Sequence, residues 1–458
     1  MTCSVFRPAA LVLAAALLAG CRAAQPSDTG TSPGTAAPAG DSLEMLSPLR
    51  EDGRYATGTG PDTGSEEMLL WVDYASHTTT YLCSQPNCSH NTDACTARPP
   101  QPQSNAVTPY AICYAAPGDR LLLYLSTDTS SVWVADADGS NRHAVIDWTA
   151  DMISPCLADS EYLYYTSYRM QENGERAPLM LCRVPLEGGE AQPLFEMRYP
   201  ADGTTQEEVL GAYGRNVVTL YADYREVLAV ETPDLPPEAS EEEYTAAWAA
   251  YNDKLAQCGS PHQVCLRNVD TGETTVLTQW EAAGQDPGWM TRWQNGRLYQ
   301  LNSDLSTARI LTPDGGMTET PVQWPEELAG MSHGSQPEAI IGGQMIVTCY
   351  PDDAPGNHRV AVDPETGACA EIDLMRWDPT TGSEEAMRLY GYSSEYVLLC
   401  CEQRETTRTE IAEDGTVWEQ PGYLSRYGLL RTGDFLASNP AWSELNSGFE
   451  FSIFSAVF

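Results

Sequence analysis

The chain has 458 residues, of which 64 are acidic and 25 are basic, so its formal net charge at pH 7 is -39. A field of that sign repels nucleic acids and anionic lipid surfaces, which argues against both as partners. It favours cationic ligands or divalent cations, although a solubilising acidic surface would explain the same composition.

The first twenty residues have the features of a signal peptide. Arg7 provides a positive charge, and residues 8–18 form an apolar stretch too short to span a bilayer as a mature helix. The stretch ends in the sequence LAGC, which resembles the lipobox of bacterial lipoproteins. That resemblance implies cleavage before Cys21 and diacylation of its side chain. An ordinary secretory signal with a chance cysteine is the alternative.

Residues 21–44 are rich in Ala, Pro, Gly, Ser and Thr and contain almost no large apolar side chain. Such a segment cannot bury enough surface to offset its ordering entropy, so it predicts a flexible, lipidated tether. Residues 45–458 are then expected to form the globular domain. Together these features predict a protein that is lipid-anchored to the cell membrane and faces the extracytoplasmic side.

Seven hairpin motifs follow the tether, each with a short apolar strand, a turn rich in Asp, Glu or Gly, and a second strand. They begin at Leu69, Ser131, Leu179, Gln263, Thr307, His358 and Arg408. A recurring unit of roughly 40 to 50 residues is typical of stacked or radial repeat folds. Most motifs also have a bulkier strand segment upstream, preceded by a turn, which gives four strands in each repeat.

The motif from Ser131 illustrates the local pattern. Val132 and Val134 alternate with the residues beside them, as in a strand, and Asp138-Gly139 suits a tight hairpin. Four antiparallel strands per repeat predict an all-β fold, a β-propeller with seven blades, although six or eight blades remain alternatives. The strand that closes the ring is expected from residues 54–58 or from the C-terminal sequence FEFSIFSAVF.

One helical insertion interrupts the repeats at about residues 236–257. Ser240 and Glu243 form a capping-box pattern, which predicts where the helix begins. An aromatic face follows at helical spacing and contains Tyr244, Trp248 and Tyr251. This face either packs on its own blade or provides a surface on which a partner docks.

Four residues near the first motif have the chemistry of a metal site. Cys83, Cys88, His90 and Cys95 follow the pattern C-x4-C-x-H-x4-C, and three thiolates with one imidazole can bind structural zinc tetrahedrally. The extracytoplasmic location also permits disulfides, such as Cys88 to Cys95 with Cys83 joined to Cys113. Beyond this possible zinc site, the sequence predicts no cofactor.

A second pair of cysteines lies at the exit of the insertion. Cys258 and Cys265 flank a Gly-Ser-Pro sequence, which is typical of a turn and predicts a local disulfide. The remaining cysteines lie mostly in strand segments, where a cysteine behaves as a small buried apolar residue.

Catalytic motifs are absent from the sequence. It contains no nucleophile elbow, no zinc-protease motif, no P-loop and no dinucleotide-binding glycine pattern. No residue is therefore predicted to be catalytic.

The sequences VWVADADGSN and LCRVPLEGGEAQPL resemble blades of TolB-like and low-density-lipoprotein-receptor-type β-propellers. With LCSQPNCSHNTDAC and YGLLRTGDFLASNP, the chain resembles a group of propeller lipoproteins of gut Firmicutes. These lipoproteins have no assigned activity, and the related TolB-like propellers serve in protein binding. The resemblance implies a non-catalytic scaffold that binds or displays a protein, peptide or glycan. Two alternatives are a surface hydrolase or lyase that acts on carbohydrate at the propeller channel, and an envelope assembly factor.

Overall fold

Short antiparallel strands make up nearly all of the regular structure. A computed structural model describes residues 42–452, apart from 62, 64–65, 102–108, 172–173, 201, 237–238, 285, 329, 352–354, 412–416 and 447. The predicted signal peptide, Cys21 and most of the predicted tether lie outside the described residues. So do residues 453–458 of the C-terminal sequence and Pro237 of the insertion.

The strands form seven blades arranged as a β-propeller, as predicted. Strand β1 (Glu44–Met45) precedes the blades, and blade 1 contains β2 (Gly53–Thr59), β3 (Met68–Asp73) and β4 (Thr78–Tyr81). Blade 2 contains β5 (Tyr110–Ala116), β6 (Arg120–Ser126), β7 (Ser130–Asp136) and β8 (His143–Thr149). Blade 3 contains β9 (Met152–Ala158), β10 (Tyr162–Tyr168), β11 (Met180–Pro185) and β12 (Gln192–Glu196).

Blade 4 contains β13 (Thr205–Tyr213), β14 (Asn216–Asp223), β15 (Gly259–Asn268) and β16 (Thr274–Ala283). Blade 5 contains β17 (Trp289–Gln294), β18 (Arg297–Asn302), β19 (Thr307–Leu311) and β20 (Met317–Pro321). Blade 6 contains β21 (Ser332–His333), β22 (Ala339–Ile341), β23 (Gln344–Tyr350), β24 (His358–Val362) and β25 (Cys369–Glu371).

A two-stranded hairpin, β26 (Met375–Asp378) and β27 (Ser383–Ala386), separates blades 6 and 7 in the chain. Blade 7 contains β28 (Arg388–Tyr392), β29 (Tyr396–Ile411), β30 (Val417–Arg431) and β31 (Ser443–Glu444), and β32 (Glu450–Phe451) follows it. The helical elements are α1 (Arg225–Leu228), α2 (Glu241–Leu255), α3 (Thr432–Leu436) and a 3-10 turn at Glu326–Leu328.

All seven predicted hairpin motifs form hairpins. In blades 2 to 5 they are the third and fourth strands, in blade 6 the fourth and fifth, and in blades 1 and 7 the second and third. The turn glycines of blades 2 to 6 have positive φ, which a glycine adopts without strain; they are Gly139, Gly188, Gly272, Gly315 and Gly367. The turn chemistry therefore predicted these hairpins correctly.

Each blade buries both faces, because it is packed between two neighbours. Val132 and Val134 lie in the core shared with blade 3, whereas Ala135 and the half-buried Trp133 lie in the core shared with blade 1. The alternation predicted from the sequence is therefore present. Alternate residues of the strand face two different apolar interfaces, one with each neighbouring blade, and neither face is turned to solvent.

The C-terminus closes the ring. Strand β32 pairs with the end of β2, with Phe451 opposite Gly58, and the Ser452 N–H donates to the Thr57 carbonyl at 2.8 Å. A Cβ atom at Gly58 would lie 2.1 Å from the Glu450 carbonyl oxygen, so this approach requires glycine. Both segments proposed for closure, residues 54–58 and the C-terminal sequence, contribute to it.

The first described residues, 42–50, form a second closing element that we name the N-terminal strap. The strap pairs with the inner strands of two blades, through Met45 with Leu157 of β9 and through Ser47 with Ala115 of β5. At its start, the Leu43 N–H donates to the Gly214 carbonyl of blade 4 at 2.9 Å.

Three leucines of the strap enter three different apolar cores. Leu43 packs in the core between blades 3 and 4, Leu46 in the core between blades 2 and 3, and Leu49 in the core around blades 6 and 7. All three are at least nine-tenths buried. The strap therefore links several blades of the ring to one another.

Among the described residues, no helix combines the length and apolar character that a bilayer-crossing segment requires.

Candidate functional site

The four predicted metal-ligand residues come together in the structure. The ligand atoms of Cys83, Cys88, His90 and Cys95, which we name the thiol–imidazole cluster, all lie within 4.8 Å of one another. The Cys95 and Cys83 sulfur atoms are 3.7 Å apart, and His90 Nδ1 is 3.3 Å from the Cys95 sulfur. Cys95 is buried, and the other three residues are partly exposed.

The local backbone brings these side chains to one point. Cys83 follows β4 directly, and the next turn bends back at Asn87 and His90, which have φ of 54° and 57°. The His90 N–H also donates to the Cys88 sulfur at 3.4 Å. The imidazole packs against the Tyr81 ring with centroids 4.2 Å apart, which orients it toward the cysteines.

The environment distinguishes two of the three thiols. Burial raises the pKa of Cys83, but hydrogen bonds from the Gln85 backbone and from Thr96 outweigh burial and lower this pKa below its usual range. Burial, together with the neighbouring thiols, raises the pKa of Cys95 to about 12. The Cys95 thiol therefore stays protonated near neutral pH unless a cation balances the charge of its thiolate.

The cysteines of the described residues are all unbridged. Cys113, proposed as a partner for Cys83, is buried in the core between blades 1 and 2, with its sulfur 4.0 Å from the Ala56 carbonyl oxygen. Cys88 and Cys95 belong to the thiol–imidazole cluster, so this structure contains neither of the two disulfides proposed around it.

The predicted disulfide between Cys258 and Cys265 is wrong for this structure. Strand β15 begins at Gly259 and runs through Cys265, so seven residue-to-residue steps of nearly extended chain lead from Cys258 to Cys265. That length is about 23 Å at the rise of a β-strand, far beyond the reach of a disulfide. Cys265 is instead buried, and its sulfur accepts a hydrogen bond from Arg198 at 3.7 Å.

The insertion forms the predicted helix, α2, with the capping box between Ser240 and Glu243 in place. Its aromatic side chains stack on one another, with centroids 5.9 Å apart for Tyr244 and Trp248 and 5.4 Å for Trp248 and Tyr251. No residue of α2 is fully buried, and Tyr244 is 46% exposed. Trp248 and Tyr251 are half-buried, and the Trp248 ring nitrogen is shielded from solvent, so this face is covered in part.

The sequence did not predict that one hairpin forms a projecting β-ribbon. We define the ribbon as residues 402–411 and 417–427 of β29 and β30. Strands β28 and β31 pair only with the base of this hairpin, whereas β29 and β30 pair with each other out to Ile411 opposite Val417. The ribbon therefore extends about 30 Å beyond the blade.

The ribbon exposes large apolar side chains among charged ones. Val417, Trp418 and Leu424 are 58%, 43% and 48% exposed, and Trp377 of the adjoining hairpin is 56% exposed. Arg376 of that hairpin donates to the Gln403 side chain at 3.0 Å, which joins the two elements. The length of the ribbon could not be read from its repeat motif, because a longer strand has the same alternation.

A shallow cleft lies between blades 1 and 2, beside Cys83. It has a volume of about 420 Å³. Trp71 and Tyr55 form one wall, with ring centroids 4.9 Å apart, and Arg50 pairs with Asp119 at 3.0 Å at its rim. Its lining combines aromatic and charged side chains. No local sequence pattern predicts the cleft, because the strap and two blades contribute its residues.

Comparisons with known proteins leave the activity open. No protein-family model matches the chain, and no curated protein matches it. Oligogalacturonate lyase from Vibrio parahaemolyticus is 12% identical, with 89% of this chain and 87% of that chain covered and a TM-score of 0.40.

Two further solved structures are similar. A variant of puromycin hydrolase is 12% identical over 86% of this chain and 59% of that chain, with a TM-score of 0.42. A chain of a nidogen/laminin complex is 10% identical over 72% of this chain and 92% of that chain, with a TM-score of 0.31. These similarities are too distant to assign a function, and the resemblance to TolB-like lipoproteins of Firmicutes stays a prediction.

Proposed function

We propose that this protein is a membrane-anchored, extracytoplasmic lipoprotein whose propeller is a non-catalytic scaffold for binding a protein, peptide or glycan. We further propose that it is a relative of the TolB-like lipoproteins that its sequence resembles. The single observation that carries the binding role is the ribbon, with its exposed apolar side chains.

A two-stranded ribbon is a costly structure for a protein to expose to water. Isolated hairpins are marginally stable, and large apolar side chains gain free energy when a partner covers them. The base of the ribbon is fixed by charge: Arg426 pairs with Glu402 at 2.8 Å and also contacts Glu444. A rigid base and an apolar outer part with Trp418 suit an interface, where aromatic residues are enriched.

In this proposal the thiol–imidazole cluster is a structural part of the scaffold. Four protein side chains would fill a tetrahedral metal site and leave no position for a substrate or a reactive water molecule. The cluster therefore stabilises the domain without adding chemistry.

Arrays of glycans and peptides test the binding role. The purified full-length protein would be compared with a variant in which a two-residue Asn-Gly turn replaces residues 403–425. This change keeps Glu402 and Arg426, which lie opposite each other at the base of the ribbon. A variant that lacks the insert helix α2 is the matched control. We expect a ligand that binds the wild-type protein and the control and loses affinity for the trimmed variant. Equal binding by all three, or turnover of a glycan, would contradict the proposal.

Metabolic labelling with a fatty-acid analogue tests the anchor. Cys21→Ser removes the proposed acylation site, so we expect the variant to lose the label and to leave the membrane fraction. A wild-type chain that takes up no label would contradict the anchor and leave the array experiment interpretable.

A further inference from the structure

We propose that the thiol–imidazole cluster is a closed structural zinc site that completes the outer side of blade 1. This inference goes beyond the proposed binding role and stands independently of it. It rests on the ligand geometry, on the chemistry of the donors and on the contacts of the loop that carries them.

The distances fit a tetrahedral ion. Zinc bonds of about 2.3 Å to sulfur and about 2.0 Å to nitrogen place two sulfur ligands about 3.8 Å apart, and a sulfur and a nitrogen about 3.5 Å apart. The structure has 3.7 Å between the Cys83 and Cys95 sulfur atoms and 3.3 Å between the Cys95 sulfur and His90 Nδ1. These two separations match zinc coordination, and all four donor atoms lie within 4.8 Å of one another.

The donor set selects the metal. Three thiolates and one imidazole are soft to borderline ligands, which favour zinc over magnesium, calcium or manganese. A sulfur–nitrogen set arranged tetrahedrally is typical of structural zinc.

Disulfide bonding explains the arrangement less well. A disulfide requires a sulfur–sulfur bond of about 2.05 Å, and it would use two of the three cysteines. It would give no role to the third sulfur or to His90, whose ring Tyr81 holds against the cluster. A single ion uses all four side chains.

The loop that carries the ligands, residues 82–98, occupies the outer side of blade 1. The edge strand β4 has only four residues, and the loop follows it directly. The Leu69 N–H of β3 donates to the Ala97 carbonyl at 2.7 Å, so the loop continues the pairing of the blade. A bound ion would hold this irregular chain in the place of a regular outer strand.

The same loop joins blade 1 to blade 2. The Arg142 guanidinium, next to the outer hairpin turn of blade 2, donates to the Arg98 carbonyl at 2.7 Å and also to the Thr96 carbonyl. Both acceptors lie within three residues of Cys95. Zinc binding is therefore expected to stabilise this junction as well as the loop.

Metal analysis of the purified full-length protein tests the inference. We expect about one zinc ion per chain in the wild-type protein and in Cys182→Ser, a control cysteine on β11 outside the cluster. Cys88→Ser and His90→Asn are expected to bind zinc at least about tenfold more weakly. Cobalt in place of zinc is expected to give thiolate charge-transfer absorption in the wild-type protein and the control.

A second measurement keeps the test decisive if the cluster variants misfold. Chelation of the wild-type protein is expected to lower its Tm and to expose Cys83, Cys88 and Cys95 to alkylation, and added zinc is expected to reverse both effects. A folded wild-type protein that carries no metal, together with a Cys88–Cys95 disulfide found by mass spectrometry, would overturn the inference. Adding zinc to such a protein without any change in Tm would overturn it equally.

Discussion

Arg215 connects blades 3 and 4 through two carboxylates. Its guanidinium lies 2.7 Å from Asp159 and 2.8 Å from Asp270, and it donates to the Tyr164 hydroxyl at 3.1 Å. Asp159 is almost fully buried, whereas Arg215 keeps part of its surface in water. The arginine therefore compensates a charge that would otherwise be costly to bury.

We expect Arg215→Ala to lower the free energy of unfolding by about 3 kcal/mol, because Asp159 would be buried without its partner. Arg169→Ala is the matched control: Arg169 is largely exposed and its partner Asp151 keeps part of its surface in water, so its loss should have a much smaller effect. Urea unfolding of the two variants measures both values. Equal losses would show that burial of Asp159 does not determine the effect.

His262 gives the protein a sensitivity to mild acid. It is 1% exposed, stacks on Trp280 with centroids 5.3 Å apart, and its Nδ1 lies 2.7 Å from the Ser260 carbonyl oxygen. Burial lowers its pKa below the usual value and outweighs the contributions of Ser260, Glu281 and Asp286, which favour the cation. The folded protein therefore favours the neutral imidazole.

Stability is expected to decrease as the pH falls through about 6.5 towards the folded-state pKa, because there the unfolded chain binds more protons at His262 than the folded protein does. His262→Gln removes this group and can still donate to the Ser260 carbonyl. The free energy of unfolding, measured between pH 7.5 and pH 5.5, should decrease less steeply in the variant. Identical slopes would assign the acid sensitivity to other groups.

At the scale of elements, the insert helix α2 is nearly independent of the propeller. Its capping box and the stacked rings of Tyr244, Trp248 and Tyr251 stabilise it locally, and it buries none of its residues fully. We expect replacement of residues 231–257 by a short Gly-Ser linker to change Tm by less than about 2 °C. Thermal unfolding followed by circular dichroism measures this, and a large drop in Tm would show that the helix supports blade 4.

The sequence predicted elements well where local chemistry determines them. The hairpins were found from turn residues such as Asp138-Gly139, and the helix from Ser240 and Glu243, because each signal lies within a few residues of its effect. The turn predicted at Gly259-Ser260-Pro261 was wrong. Pro261 lies beyond the last residue pair of β14 with β15, so its missing N–H leaves no strand hydrogen bond unmade there.

The two ends of the described chain both help to hold the ring of blades closed. The strap inserts Leu43, Leu46 and Leu49 into three cores. Strand β32 pairs with β2 of blade 1, and the ring of its Phe451 lies 4.2 Å from that of Tyr427 in blade 7. The sequence offered residues 54–58 or the C-terminal sequence for closure but did not predict the strap, whose first residues lie in the predicted tether, since partners far apart in the chain leave no local pattern. The position of the thiol–imidazole cluster was predictable from its short spacing, whereas the ribbon and the cleft were not.

We expect Leu49→Ala to destabilise the protein by about 2 to 5 kcal/mol, because it leaves a cavity in the core around blades 6 and 7. Met317→Ala, at a side chain that is largely exposed, is the matched control and should have little effect. Equilibrium unfolding in urea measures both, and a small effect of Leu49→Ala would mean that the strap does not fasten the ring.

The strap also determines how the domain would respond to mechanical load. Force applied to the chain before Ser42 would act first on the hydrogen bond from Leu43 to Gly214 and then on the antiparallel pairing of β1 with β9. Beyond these, the buried leucines divide the load among several blade junctions, so no single blade has to resist it alone. A protein held at this end could be pulled by flow or by a bound partner while its ring stays closed.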